Sequence, residues 1–236
     1  MARRNVGETM GEFRKSLIVV VLNVCLCCFA LSQMPLPIVT ASMLKAATRV
    51  PHQVLERSPA LALLLAHDLT QERYIDHLKR LYGYVAPTEA ALAQVPHFEA
   101  WVPNAALGIK EAWLRKDLAY LGVTDVDLAA LPRCEIPVPS TLSEAIGISY
   151  VLEGATLGGG IIGRHLVRSL GVTPRTGGAY YHNYGVKRGP RWRSFRGALD
   201  TFGQRYSDQQ DAMCEAAFAT FALMHTWMNH PVFATT

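Results

Sequence analysis

The chain lacks the features of several common protein classes. Its 236 residues carry 23 basic and 19 acidic side chains, and this small excess does not indicate a nucleic-acid-binding protein. Beyond residue 33 the cysteines are Cys134 and Cys214 alone, too few for a disulfide framework. No segment alternates with the period of a half-buried strand, and no Glu-x-x-His motif supports a di-iron bundle. The composition therefore favours an all-helical globular protein, long enough for one domain with a substantial core.

The first 33 residues differ from the rest. Arg14 and Lys15 precede an apolar run over residues 17–31, which resembles the hydrophobic region of a signal peptide and is short for a transmembrane span. No clear cleavage motif follows it, and Met34 is a plausible alternative start. We therefore divide the chain into residues 1–33, a signal-like leader or a start-site artefact, and residues 34–236, the helical domain.

Apolar periodicity predicts the helices of this domain. They are expected over residues 60–67, 70–85, 87–93, 107–121, 125–131, 142–170, 192–204 and 208–229, with a break at 96–103 and a loop at 172–191. In the helix over 107–121, we expect Lys110, Arg115, Lys116 and Asp117 to face outward.

The helix over 142–170 contains an unusual run of glycines, at positions 154, 158, 159, 160 and 163. Thr141 and Glu144 predict a capping box at its start, and Gly171 predicts its end. Each interior glycine costs about 1 kcal/mol relative to alanine, so five of them require a physical reason. Either another helix packs against these small residues, or a flat ligand lies across a kinked helix that has few side chains.

A second segment offers the opposite wall for such a ligand. If residues 42–56 are helical, then Lys45, Arg49, His52 and Glu56 form one continuous line, which we call the proximal stripe. An imidazole can bind haem iron, cations can pair with the two propionates, and a carboxylate can fix the imidazole tautomer. The alternative is a solvated face of an amphipathic helix, where such ion pairs contribute little.

At this point the residues resemble a known family. Leu-Lys-x-Ala-Thr followed by His52 and Glu56 is similar to the proximal helix of haem oxygenases, and Gly154-x-x-x-Gly158-Gly159 is similar to their distal helix. Tyr-Val-Leu-Glu-Gly over residues 150–154 looks most like the bacterial branch associated with bacteriophytochromes. The resemblance continues through Gly189-x-x-Trp192-x-x-Phe195 and covers residues 40–230.

The resemblance implies an all-α, single-domain helical bundle with haem held between a proximal helix and a kinked, glycine-rich distal helix. It implies a biliverdin-producing haem oxygenase, in which haem b is substrate and cofactor and is cleaved to biliverdin, Fe²⁺ and CO with O₂ and external electrons. His52 would be the iron ligand. The implied distal residues are Gly154, Gly158 and Gly159, and the haem-binding residues are Lys45, Arg49, Glu56, Arg193 and Arg196.

The same resemblance implies partners and a location. A ferredoxin or a reductase would supply electrons, and a bacteriophytochrome is suggested as the acceptor of biliverdin. Such an enzyme is expected in the cytoplasm, which favours Met34 as the true start, with membrane contact only if the run over 17–31 is used.

Three residues depart from the family pattern. Ala155 stands where the animal enzymes carry an aspartate, Gly160 adds a glycine beyond the usual pair, and Pro51 removes a helical N–H directly before His52. These departures motivate an alternative, a non-catalytic haem carrier or sensor on the same fold. A third hypothesis is a helical protein unrelated to haem, in which the glycines serve packing alone.

Overall fold

The computed structural model describes residues 40–102 and 109–230. Within these ranges the chain is helical and contains no strand, which confirms the all-α class. The α-helices are α1 Thr40–Ala47, α2 Arg49–Glu56, α3 Pro59–Ala62, α4 Gln71–Leu92, α5 Phe98–Trp101, α6 Ile109–Tyr120, α7 Asp125–Ala130, α8 Leu142–Leu170, α9 Ala179–His182, α10 Arg188–Arg205 and α11 Gln210–Met228. Short 3-10 helices cover Leu63–Leu65, Gly185–Lys187 and Ser207–Gln209. The predicted leader and the start at Met34 lie outside the described residues.

Helix α8 begins and ends where the sequence predicts. The Thr141 hydroxyl accepts a hydrogen bond from the N–H of Glu144 at 3.2 Å. The Glu144 carboxylate binds the N–H of Ser140 at 2.8 Å, so only one half of the predicted capping box forms. Gly171 ends the helix with φ +67°, a conformation that glycine adopts without steric cost. Residues Leu142–Leu170 form one helix without interruption. The kink expected at the glycines stays a prediction.

The core lies where α8 and α4 pack against α11. Tyr74 and Tyr84 of α4 are almost completely buried, and the Tyr84 hydroxyl donates to the carbonyl of Thr220 in α11 at 3.1 Å. Gly147 of α8 leaves no room for a Cβ because the carbonyl oxygen of Met213 in α11 already lies there. Each fully buried large side chain contributes about 1.5–3 kcal/mol through removal of apolar surface from water.

Helix α4 runs through Pro87, although the sequence predicted two separate helices. Pro87 has no N–H, so the carbonyl of Gly83 loses its helical donor. The N–H of Cys134 donates to that carbonyl instead, at 2.8 Å. A Cβ on Gly83 would lie 2.5 Å from the carbonyl oxygen of Pro132, so glycine is what lets this loop approach. The prediction was wrong because the replacement donor comes from a distant part of the chain.

Smaller differences occur in the short elements. The helix predicted over 60–67 is one turn, α3, followed by a 3-10 helix. The predicted break at 96–103 and loop at 172–191 contain α5 and α9, and α10 begins at Arg188 rather than at Trp192. Residues 103–108, and with them the predicted start of the helix over 107–121, lie outside the described residues. Helices of four residues are too short to show apolar periodicity.

The outward placement of Lys110 and Asp117 in α6 was wrong, whereas Arg115 and Lys116 are exposed as predicted. Lys110 and Asp117 are 5% and 1% exposed. The Asp117 carboxylate accepts from the N–H groups of Ala179 and Tyr180 at 2.7 and 2.8 Å, and so caps the start of α9. Burial raises the pKa of Asp117 to about 6, against the lowering effect of these two hydrogen bonds.

Among the described helices, α8 alone is long and apolar enough to cross a membrane by length and composition. Half of its most apolar window is buried inside the fold. This packing is that of a central core helix.

Candidate functional site

Residues 40–56 form two helices rather than one. Thr48, with φ −96° and ψ 1°, separates α1 from α2. Its N–H still donates to Leu44 at 2.9 Å, and its carbonyl accepts from His52 at 3.0 Å, so the chain keeps a nearly helical course. Pro51 lies in the first turn of α2, where a missing N–H is tolerated. The second helix therefore begins at Arg49, two residues before Pro51.

The proximal stripe lies along the exposed side of α1 and α2, next to a buried side that includes Leu44, Thr48 and Leu55. The side chains of His52 and Glu56 are 51% and 60% exposed. Nδ1 of His52 lies 3.5 Å from a carboxylate oxygen of Glu56, while the imidazole packs edge-on against Phe221 of α11 at 5.3 Å between ring centroids. A proton held on Nδ1 by Glu56 would leave Nε2 as the nitrogen able to bind a metal.

The three candidate glycines of α8 have different surroundings. A Cβ added at Gly158 would meet nothing within 4 Å, so this face of the helix is open. At Gly154 it would lie 3.8 Å from the ring of Trp192, an ordinary contact. At Gly159 it would lie 2.6 Å from the carbonyl oxygen of Tyr181, so Gly159 serves the close packing of α8 against α9. Both hypotheses for the glycines therefore find support, at different positions.

The additional glycine, Gly160, has a packing role as well. The guanidinium of Arg188 occupies the space that a Cβ on Gly160 would need. Arg188 donates to the side-chain oxygen of Asn183 at 2.9 Å and to the carbonyl of His182 at 3.0 Å. This departure from the family pattern thus gives room to an arginine that binds the end of α9.

Helix α11 relates the two candidate walls. Ser143 of α8 donates to Gln209 at 2.9 Å, and Gly147 approaches Met213, so both contacts pair residues 66 positions apart. The two helices therefore run parallel over these residues, and the same offset, continued for two further turns, predicts that Phe221 lies near the turn of α8 that contains Ala155. Because His52 packs against Phe221, we expect its imidazole to lie level with residues 154–158 of α8.

The basic candidates of α10, Arg193 and Arg196, are both exposed. Arg196 lies near the Tyr150 hydroxyl. Burial raises the pKa of Tyr150 above its ordinary value, although a hydrogen bond with Thr48 and the positive charge of Arg196 both lower it. Tyr150 therefore links α8 to the junction of α1 and α2 and to α10. The ring of Trp192, 5.8 Å from that of Tyr150, continues this contact to Gly154.

Sequence reasoning missed a buried cluster beside the glycines. Lys110 donates to one oxygen of Glu153 at 2.7 Å, and Arg191 donates to the other at 3.3 Å. Burial raises the pKa of Glu153, but the two cations outweigh it, so the pKa lies below its ordinary value. Glu153 was treated only as part of a family motif, and no feature of local sequence pairs it with Lys110.

Comparison with known proteins shows the family and the fold of this chain. The model of the heme oxygenase family matches residues 39–230, and the chain belongs to that family, whose members degrade haem. The fold is similar to heme oxygenase from Neisseria meningitidis, solved with bound NO and CO, with a TM-score of 0.66, 20% identity, and coverage of 84% of this chain and 94% of that one. It is also similar to heme oxygenase from Leptospira interrogans, with a TM-score of 0.63, 18% identity, and coverage of 81% and 98%. Comparison with curated protein sequences gives no significant match.

The residues present fit a haem group. An exposed imidazole with its second nitrogen toward a carboxylate, exposed cations on the same stripe and an open helix face at Gly158 are the groups that haem requires. Among the described residues, no group of three or more His, Cys, Asp and Glu side chains is arranged to hold a metal ion.

Proposed function

We propose that this protein is a haem oxygenase that cleaves haem b to biliverdin, Fe²⁺ and CO, with O₂ and electrons from a ferredoxin or a reductase. The observation that supports the proposal is that the imidazole of His52, 3.5 Å from Glu56, packs against Phe221 of α11. The offset between α8 and α11 predicts that this imidazole lies level with the stretch of α8 that presents the open face of Gly158. Membership of the heme oxygenase family supports the same assignment.

The residues of the proximal side would bind and orient the substrate. His52 would bind the iron through Nε2, and Glu56 would hold the proton on Nδ1. Lys45, Arg49, Arg193 and Arg196 would pair with the two propionates, as exposed cations able to make charge-assisted hydrogen bonds.

The distal side would act mainly through the absence of side chains at its glycines. The open face of Gly158 leaves space above the porphyrin, and the contact of Gly154 with Trp192 would define one edge of that space. Gly159 would contribute indirectly, by fixing α8 against α9. Haem, when bound, would supply the iron centre at which O₂ reacts, and its own porphyrin is the substrate.

The proposal also includes the cellular location of the protein and the bounds of its domain. The haem oxygenase-like helical domain would span residues 34–236, and the enzyme would act in the cytoplasm, where reductants are available. A bacteriophytochrome would be one consumer of the biliverdin.

Reconstitution with haemin tests the proposal. The protein would be given ascorbate or a ferredoxin system under air, and absorbance would be followed from the Soret band to the far red. We expect the Soret band to fall as a broad biliverdin band grows, with the reaction lost or greatly slowed in His52→Ala. A Soret band that persists in the presence of reductant would refute the oxygenase and support the carrier or sensor.

A further inference from the structure

The segment between Glu153 and Asp200 contains no acidic residue. It carries eight lysine and arginine side chains, whereas the whole chain has 19 acidic residues for its 23 basic ones. The segment covers the second half of α8, all of α9 and much of α10, and these helices pack against one another. Such a stretch concentrates positive charge in one part of the protein, and positive charge attracts anions.

Two of these arginines, Arg164 and Arg188, lie side by side at Gly160. A Cβ added at Gly160 would collide with Nη1 of Arg188 and would lie 3.9 Å from Nη1 of Arg164. Of the ion pairs that the described residues make, none involves either arginine. Two neighbouring positive charges without a carboxylate between them repel each other, and an anion placed there would remove this repulsion.

The guanidinium of Arg188 is held in place but is not fully used. Its Nε donates to the side-chain oxygen of Asn183 at 2.9 Å, and its Nη2 donates to the carbonyls of Tyr181 and His182 at 3.4 and 3.0 Å. Its Nη1, the nitrogen nearest Gly160, has no acceptor among the described residues and remains accessible to solvent. A guanidinium that is already held loses little conformational entropy on binding, so Nη1 is prepared to donate to an oxyanion.

Arg164 can complete such a site. It lies one helical turn after Gly160, is exposed, and makes no side-chain hydrogen bond with the part of the chain that the structure describes. Its side chain can therefore turn toward a ligand held by Arg188 without breaking a contact. The two arginines have complementary roles, since one is fixed and the other is able to close on the ligand.

The positive charge of the pair also acts on its neighbours. Burial, and then the charge of Arg164, lower the pKa of Arg188 below its ordinary value. Burial, and then the charge of Arg188, likewise lower the pKa of His182, whose Nε2 is buried without a hydrogen-bond partner among the described residues. An anion bound at the two guanidinium groups would oppose both of these charge effects.

We propose that Arg164 and Arg188 form a binding site for a phosphate group beside Gly160. A phosphate dianion balances two guanidinium charges, and its tetrahedral oxygens can accept from both groups, whereas a carboxylate has one charge and two oxygens. The same phosphate group is offered by free phosphate compounds and by the headgroup of a phospholipid. The site uses none of the cations assigned to the haem propionates, so it does not rest on the proposed function.

Titration of the haem-free protein with inorganic phosphate tests the site, at constant ionic strength and followed by the amide chemical shifts in NMR spectra. We expect saturable shifts centred on residues 160–164 and 182–188. Arg164→Gln should weaken phosphate binding by about tenfold, because a charge-assisted hydrogen bond is lost. Arg57→Gln removes an exposed arginine that follows α2, and as the control for net charge it should leave the affinity unchanged.

Gly160→Ala distinguishes a built site from a surface that is only basic. It keeps both arginines but puts a methyl group where Nη1 of Arg188 lies, so phosphate binding should weaken although the net charge is unchanged. The displaced atom is the end of a flexible side chain, so the variant should still fold. No saturable binding by the wild type, or wild-type affinity in either Arg164→Gln or Gly160→Ala, overturns the proposal.

Two further measurements identify the source of the phosphate and separate this site from the haem. Sedimentation with vesicles that contain phosphatidic acid, by the wild type and not by Arg164→Gln, would assign the site to a lipid headgroup; sedimentation of neither would assign it to a free phosphate compound. Arg164→Gln should bind haemin as the wild type does, and loss of haemin binding there would assign Arg164 to the propionates and overturn the inference. A wild type that binds phosphate but not haemin would refute the proposed function alone.

Discussion

Two adjacent glycines of α8 should respond in opposite ways to the same substitution. Gly158→Ala adds a methyl group to open space, whereas Gly159→Ala puts it 2.6 Å from the Tyr181 carbonyl oxygen and 2.8 Å from the side-chain nitrogen of Asn183. Both variants gain about 1 kcal/mol of helix propensity, so this contribution cancels in the comparison. What remains is the cost of overpacking at Gly159, about 1–3 kcal/mol, because a backbone carbonyl cannot rotate away.

Thermal unfolding of the haem-free protein measures this difference. A domain of this size shifts its Tm by about 2–4 °C for each kcal/mol, so Gly158→Ala should unfold at least about 2 °C above Gly159→Ala. Gly158→Ala should also be no less stable than the wild type. Equal Tm values for the two variants, or a less stable Gly158→Ala, would refute the division of the glycines into an open and a packed position.

The remaining predictions concern helix capping and pH. Thr141→Ala should lower the free energy of unfolding by about 1 kcal/mol, because the N-terminal cap of α8 is lost. Urea titration measures this change, with Thr201→Ala at an exposed position as the control. An unchanged free energy of unfolding in Thr141→Ala would contradict the capping role. The folded-state pKa of Asp117, raised by burial to about 6, means that the folded protein binds this proton more tightly than the unfolded chain. The Asp117 contribution to stability should therefore be fully present below the unfolded pKa near 4 and be lost as the pH rises through 6. Urea titrations at pH 4, 5 and 6 should show this decline in the wild type and a flatter profile in Asp117→Asn, and parallel profiles would refute it.

Much of the fold is encoded in local features. Thr141 and Gly171 bound α8 because a cap and a left-handed terminator act over a few residues, and both lie where the structure uses them. The position of His52 relative to Glu56 likewise follows from helical spacing alone. Such features are visible in a single sequence because each depends on neighbours less than two turns away.

Other features depend on distant partners and were missed for that reason. Lys110 and Asp117 have the sequence pattern of an exposed face, yet each is buried against a partner on another element, Glu153 or the start of α9. The sequence predicts a boundary between two helices at Pro87, but the N–H of Cys134 binds the carbonyl of Gly83 and the helix continues. Gly158 and Gly159 are indistinguishable in sequence, and only the position of α9 separates them.

The most direct test of the account is a haemin titration of the wild type, His52→Ala and His165→Ala, followed by its absorption spectrum. His165 lies on α8 and approaches the carbonyl of Ala66 at 3.2 Å, so it serves as the histidine control. We predict a one-to-one complex with an imidazole-bound spectrum in the wild type and in His165→Ala, its loss in His52→Ala, and its recovery there when free imidazole is added. An unchanged spectrum in His52→Ala would contradict the assignment of the iron ligand, and with it the placement of the haem between the proximal stripe and Gly158.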